Sequence, residues 1–231
     1  MRHGTARFEL DVRFTSAARR VVIHGPSGAG KTPTLRMIAG ITRPDRGRIA
    51  VAGHLLADSA AGHWLAPQAR HLGYMFQDYA LFPHLTGRQN IAFARRRGWT
   101  NPRRDSGRDA DRDSADAAVD RWIATFHLEP VAAHYPHQLS GGQRQRTALA
   151  RALVSEPRAL LLDEPFAALD TRLRRRLRQE LLELQQQLGL PMLLITHDEE
   201  EVRQLAEEVV PLHGGRVVDS MPGDIAMAVV V

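Results

Sequence analysis

The sequence predicts an α/β fold with a largely parallel sheet around a phosphate loop, joined by a helical subdomain. Three observations lead there: short apolar runs closed by acids or turn residues, helical stretches alternating with them, and a glycine-rich loop between one such run and one such helix. ALLLDEP (159–165) stays apolar until acids and a proline end it, the pattern of a strand covered on both faces, and PMLLITHD (191–198) reads as the next buried strand.

Taken in order, FELDVRF (8–14) and RVVIHG (20–25) are strand-like runs flanking a SAAR turn. From Lys31 to Ala39 the pattern turns helical, with Leu35, Ile38 and Ala39 on one face. GRIAVAG (47–53) and HLGYMF (71–76) follow as strands, separated by a turn-rich segment containing Gly62 and Pro67. The stretch 95–118 is dense in arginine and aspartate and broken by Gly98 and Pro102; it predicts a solvated, mobile insertion, with a basic docking patch the weaker reading. Helical pattern resumes at Ala115–Phe126, a further helix follows Gln143, and a long amphipathic helix covers 171–188. A helix near 199–206 and strands around 208–218 complete the series. The expected organisation is one domain, with a core subdomain (1–85 and 156–231) and a helical subdomain (86–155). No internal repeat is visible.

With 231 residues and 43% apolar content, the chain suits one substantial core. It has no cysteine, which excludes disulfides and thiolate chemistry. Its apolar stretches, including the terminal AMAVVV, are too short to span a bilayer, and MRHGTARFEL lacks a signal-like run. Any membrane span is therefore expected from another chain. The net charge of +5 is small and spread, so nucleic acid is not the expected partner. The basic residues are arginine except for Lys31, the one lysine in the protein. A compact ammonium kept at a single place suggests a position where a planar guanidinium does not fit.

The strongest motif is GPSGAGKT: Gly25, Pro26, Ser27, Gly28, Ala29, Gly30, Lys31 and Thr32, after an apolar strand and before a helix. Its glycines permit turns that converge backbone N–H groups on phosphate oxygens, and the following helix adds its positive end. Lys31 can reach β- and γ-phosphates, and the Thr32 hydroxyl can ligate Mg²⁺. An accidental glycine-rich turn would lack both flanking elements. Asp163, ending ALLLD, is placed to hold Mg²⁺, and Glu164 to orient or deprotonate a water. Alone, that pair would be surface carboxylates capping the next element.

LSGGQRQR (139–146) puts Ser140, Gly141, Gly142 and Gln143 before a helix, a second candidate anion site; by itself it is an ordinary serine N-cap. His197 and Gln77 each follow a strand, at the sheet edge where ligands gather in open α/β folds. The remaining histidines lack a metal-ligand set and are taken as structural.

GPSGAGKT, YMFQD around Gln77, LSGGQRQR, LLLDEP, ALD at 168–170 and TH at 196–197, in that order, resemble the nucleotide-binding subunit of an ABC transporter. The resemblance implies that the Lys31 loop and Asp163 bind Mg-ATP, that Gln77 contacts Mg²⁺ and senses a membrane partner, and that Glu164 is the general base. It implies that His197 contacts the γ-phosphate and that Asp170 lies in the loop joining two subunits. Ser140 to Gln143 would close over ATP held by a second copy, making a homodimer with two sandwiched nucleotides. The implied partners are membrane permease subunits and, indirectly, an extracytoplasmic solute-binding protein; the implied location is the cytoplasmic face of the membrane.

The run LAPQARHLGYMFQDYALFPHLTGRQNIAF is most similar to molybdate importer ATPases, although sulfate, polyamine and sugar importer subunits share much of it. Three departures stand out. Pro33 replaces a hydroxyl residue after the phosphate loop, removing one N–H that could meet phosphate. An adenine-stacking aromatic residue is not assigned, Phe8 and Phe14 being the nearest substitutes. The chain stops at Val231 without the C-terminal oxyanion-binding domain common in molybdate subunits, so regulation by one is not expected. Competing readings are a soluble ABC-type ATPase acting on DNA or ribosomes, and a non-hydrolysing regulatory module.

Overall fold

A computed structural model describes residues 9–95, 109–167, 169–218 and 227–230, with side chains described except at 109–115 and 227–230. Phe8, Ala168 and positions 96–108 of the charged stretch lie outside the described residues. In chain order the elements are β1 (Arg13–Ser16), β2 (Arg20–His24), α1 (Lys31–Ala39), β3 (Arg48–Val51), β4 (His54–Asp58), β5 (His63–Trp64), β6 (Leu72–Met75), α2 (Gly87–Phe93), α3 (Asp109–Thr125), α4 (Gly141–Leu153), β7 (Ala159–Asp163), α5 (Thr171–Leu188), β8 (Met192–Thr196), α6 (Glu199–Leu205), β9 (Glu208–His213), β10 (Arg216–Val217) and β11 (Met227–Val230). They fall into two compact units: residues 1–70 with 184–231, and residues 71–183.

In the first unit β2 runs parallel to both β8 and β9, with Val22 opposite Leu194 on one side and Val209 on the other. Every residue of β8 is buried, as its unbroken apolar run requires. Gly214 and Gly215, with φ of 52° and 80°, turn the chain from β9 into the antiparallel β10. A second, antiparallel sheet has the order β1-β11-β3-β4-β5. β4 lies within the segment expected to be turns, because HLLAD lacks the alternation that marks a half-buried strand. β1 starts at Arg13, where pairing with Val230 of β11 begins, and the described residues 9–12 of the expected run precede it outside the strand.

α1 ends at Gly40, whose φ of 82° is left-handed and whose N–H bonds carbonyls of the last turn. A Cβ there would lie 2.5 Å from Arg70 Nε. Arg70 is fully buried: it donates to the carbonyls of Met37 and Ile38, both at 2.8 Å, and to that of Leu65 at 2.9 Å. Its guanidinium also lies 4.3 Å from the Trp64 ring centroid. Burial lowers its pKa to about 10.

In the second unit β6 and β7 pair in parallel, with Tyr74 opposite Leu161, and β7 is buried throughout. A Cβ on Gly73 would fall 2.6 Å from the Ala152 carbonyl, so only glycine lets β6 approach the end of α4. α2 opens on a capping box built from Thr86 and Gln89. α3 begins at Asp109, earlier than the expected Ala115, so the end of the charged stretch is helical and not a loose insertion. Arg88 of α2 pairs with Asp116 and Asp120 of α3, which ties that charge-rich helix down.

Candidate nucleotide-phosphate site

β2 delivers the chain into residues 25–30 and α1 carries it away. Gly28 and Gly30 have φ of 80° and 104°, values that side-chain-bearing residues rarely adopt. Gly25 is required for a different reason: a Cβ there would sit 2.0 Å from the Leu212 carbonyl oxygen of β9. Lys31 is buried, and its Nζ donates to the carbonyls of Gly25 at 2.8 Å and Pro26 at 3.0 Å, bridging the loop. The Thr34 hydroxyl donates to Gly30 O at 2.8 Å. α1 has no side-chain cap hydrogen bond and no acid in its first turn, so its own residues do not offset the positive end of the helix. Pro33 sits in that first turn, where it breaks no helix hydrogen bond. Loop, lysine and helix end together fit a polyphosphate.

His197 belongs to the same unit. His24 and Thr196 are register partners on β2 and β8, so His197 emerges one residue beyond the edge from which the loop departs. Its neighbours are fixed: Asp198 N donates to Thr196 Oγ1 at 3.0 Å, and Asp198 caps α6 by accepting from Glu200 N and Glu201 N. The His197 side chain itself is exposed. Phe14 is buried in β1, 5% exposed.

In the second unit Asp163 ends β7 and is 2% exposed. Tyr74 OH donates to its Oδ2 at 3.1 Å. Glu164 follows with a left-handed φ of 44° and is half-buried. Gln77, just past β6, donates from Nε2 to Glu164 Oε2 at 3.3 Å. Within this unit the Asp163 carboxylate and Gln77 amide oxygen are hard oxygen donors, the chemistry Mg²⁺ prefers.

The loop after Gln77 is held from two helices. Arg151 of α4 donates to Tyr79 O at 2.6 Å and Ala80 O at 2.7 Å. Asn90 of α2 accepts from Phe82 N and donates to the carbonyls of Phe82, Leu85 and Thr86. Sequence reasoning did not single out Tyr74, Asn90 or Arg151. Only their positions beside or after recognised motifs could have flagged them.

Ser140 and Gln143 form a reciprocal capping box at the start of α4. A Cβ on Gly142 would lie 3.2 Å from Leu173, and one on Gly141 3.3 Å from Leu169, so these glycines let α4 begin close to the start of α5. Asp170 accepts from Arg172 N and Leu173 N and thereby caps α5. The second set of expected residues thus stands at two neighbouring helix starts.

The family described as ABC transporter matches residues 11–167. The chain is 45% identical over 202 residues to a sulfate/thiosulfate import ATP-binding protein of Nephroselmis olivacea, covering 87% of this chain and 54% of that protein. It is 37% identical over 222 residues to a molybdenum import ATP-binding protein of Paramagnetospirillum magneticum, covering 96% of this chain and 58% of that one. It therefore spans little more than half the length of these two curated relatives. Among solved structures, the dimeric ATP-binding cassette MJ0796, captured after hydrolysis with ADP and Pi, matches with a TM-score of 0.68 and 27% identity over 91% of this chain and 95% of that one. With residues 11–167 matched by that family, the chain belongs to the ABC transporter family, as an ATPase domain of the kind that binds ATP with Mg²⁺.

Proposed function

We propose that this chain hydrolyses Mg-ATP and couples the cycle to solute import, with an oxyanion, molybdate first, as cargo. The observation that carries the reading is the phosphate loop bridged by Lys31 at the uncapped start of α1. In this reading the loop amides and Lys31 grip the β- and γ-phosphates, while Thr32, Asp163 and Gln77 supply oxygen ligands to the metal. Mg²⁺, when bound, neutralises charge developing on the phosphoryl oxygens. Glu164 accepts a proton from water attacking in line, and His197 donates to the γ-phosphate. Asp163, buried and held by Tyr74, serves the metal while the more exposed Glu164 handles the water.

The reading extends to assembly. Ser140 to Gln143 would face nucleotide on a second copy, Asp170 would lie in the joining loop, and permease subunits would take up the motion near Gln77. Among the described residues no helix is long and apolar enough to cross a membrane, so in this reading the permease supplies the span and the chain acts at its cytoplasmic side. The division into a core (1–85 and 156–231) and a helical subdomain (86–155) belongs to the same proposal. Molybdate is supported by alignment over 96% of the chain, and the oxyanion class also by the sulfate/thiosulfate relative.

Phosphate release by the purified protein and its Glu164→Gln variant tests the enzyme. We expect turnover in the wild type and a loss of roughly a hundredfold or more in the variant, with Mg-ATP binding retained. Wild-type protein that binds Mg-ATP without turning it over would leave a regulatory module instead. Uptake of labelled molybdate, sulfate and spermidine by cells lacking the gene tests the cargo. Loss of spermidine uptake alone would overturn the oxyanion assignment.

A further inference from the structure

The carbonyls of Tyr79 and Ala80 belong to two successive non-glycine residues with left-handed φ, 64° and 42°. Such a conformation persists only where surroundings impose it. Here they do so from three directions. The Asp78 carboxylate accepts from Ala80 N at 3.2 Å, closing a short turn. The Tyr79 side chain is buried, which raises its pKa and anchors the loop inward. Arg151, near the C-terminal end of α4, places one guanidinium nitrogen on each carbonyl and lies 5.7 Å from the Phe82 ring centroid. Burial lowers the Arg151 pKa to about 10, with the Asp78 charge opposing the shift. A desolvated cation spent on two backbone carbonyls is an expensive way to hold a loop that needs no holding. The loop carries Gln77, two residues upstream, whose amide reaches Glu164.

We propose that Arg151 is a positioning residue: acting through the backbone of Tyr79 and Ala80, it sets the stance of Gln77 toward Glu164 and the metal. α4, which opens on Ser140, and the loop that presents Gln77 are then one mechanical piece. Displacement of α4 along its axis would pull directly on Gln77. The proposal rests on the Mg-ATP reading above for its consequence in turnover, whereas the clamp itself stands on the geometry of residues 78–82 and 151.

The test uses Arg151→Met, which keeps the bulk and removes both bonds, Arg151→Lys, which can make one of them, Gln77→Ala, and the Arg151→Met/Gln77→Ala double variant. Calorimetric titration of Mg²⁺ into ADP-loaded protein gives a readout apart from turnover. Arg151→Met should weaken Mg²⁺ binding by about tenfold, as loss of charged hydrogen bonds allows, with ADP affinity in the absence of metal unchanged within roughly twofold. Arg151→Lys should recover part of the loss. The double variant should be no worse than Gln77→Ala alone, because both act on one path. Equal loss of Mg²⁺ and metal-free ADP binding, or additive losses in the double variant, overturns the proposal. Should Arg151→Met fail to fold, Arg151→Lys carries the comparison through hydrogen exchange: faster exchange confined to amides 77–82 supports the clamp, and exchange rising equally along α4 and β7 sinks it. A wild type that neither binds nor hydrolyses ATP would defeat the functional reading, while that exchange pattern would still decide the clamp.

Discussion

The side-chain amide of Gln77 donates to Glu164 Oε2 at 3.3 Å, joining the residue assigned to the metal and the one assigned to the water. The contact is long, so it costs little to exchange for a phosphate-bound metal or a water. It also uses the nitrogen of the Gln77 amide and leaves the oxygen to face a cation.

Gln77→Glu would set two carboxylates at that spacing. Like charges repel, so the hydrogen bond between the two side chains should be lost and turnover should fall by about tenfold, measured by phosphate release. Unchanged turnover would mean that the Gln77–Glu164 contact plays no part in placing Glu164.

Tyr74→Phe deletes one oxygen, the one that donates to Asp163. Groups that orient metal ligands typically contribute about tenfold or more to metal affinity. The Mg²⁺ concentration for half-maximal turnover should rise by roughly that factor, with Tm falling only about 2–4 °C. A fall in Tm with unchanged Mg²⁺ dependence would reduce Tyr74 to a packing residue.

Gly40→Ala attacks the far end of α1. A methyl group would meet both a left-handed φ and the Arg70 guanidinium at 2.5 Å. The combination should cost about 2–4 kcal/mol and lower Tm by roughly 5 °C or more, measured by thermal unfolding. Gly28→Ala has the same φ problem but open space around its Cβ, so it should lower Tm less.

Asp120 pairs with Arg88, whose hydrogen bond holds its carboxyl below the ordinary value of 3.8. A carboxyl with a lowered folded pKa adds stability above its unfolded value and loses it as pH falls through the folded one. Asp120→Asn should therefore be less stable than wild type at pH 7, the two converging in acid. Denaturant midpoints at pH 7 and pH 3 check this, and a gap that persists in acid would point to packing instead of charge.

Much of the core was legible because its signals are local. ALLLD and MLLIT are apolar up to a single polar residue at the end, and both strands are buried at every position. The helix at 171–188 shows its period over five turns and is found with those bounds. Of the antiparallel sheet, β1 and β3 were legible as strand-like runs but β4 was not, since it pairs with β3 through a register shift between Ile49 and Ala50 and carries no alternation of its own. The charged stretch misled at its C-terminal end, where helix formation at Asp109 draws on pairing with Arg88 far upstream. At the site, the glycines, lysine and acids were visible as motif letters. Arg151 and Tyr74 were not, because an arginine bonded to carbonyls and a tyrosine bonded to an acid look like any others until the strands are paired.

The buried cation at the carboxyl end of α1 has an electrostatic corollary. Arg70 neutralises the negative pole of a helix only nine residues long, and the first turn at its opposite pole carries no acid of its own. The dipole is thus lopsided, and the field at the loop attracts any compact oxyanion, not only a nucleotide. Sulfate or inorganic phosphate in a buffer will compete for the cradle, and affinities for ATP should be compared only at matched anion concentration.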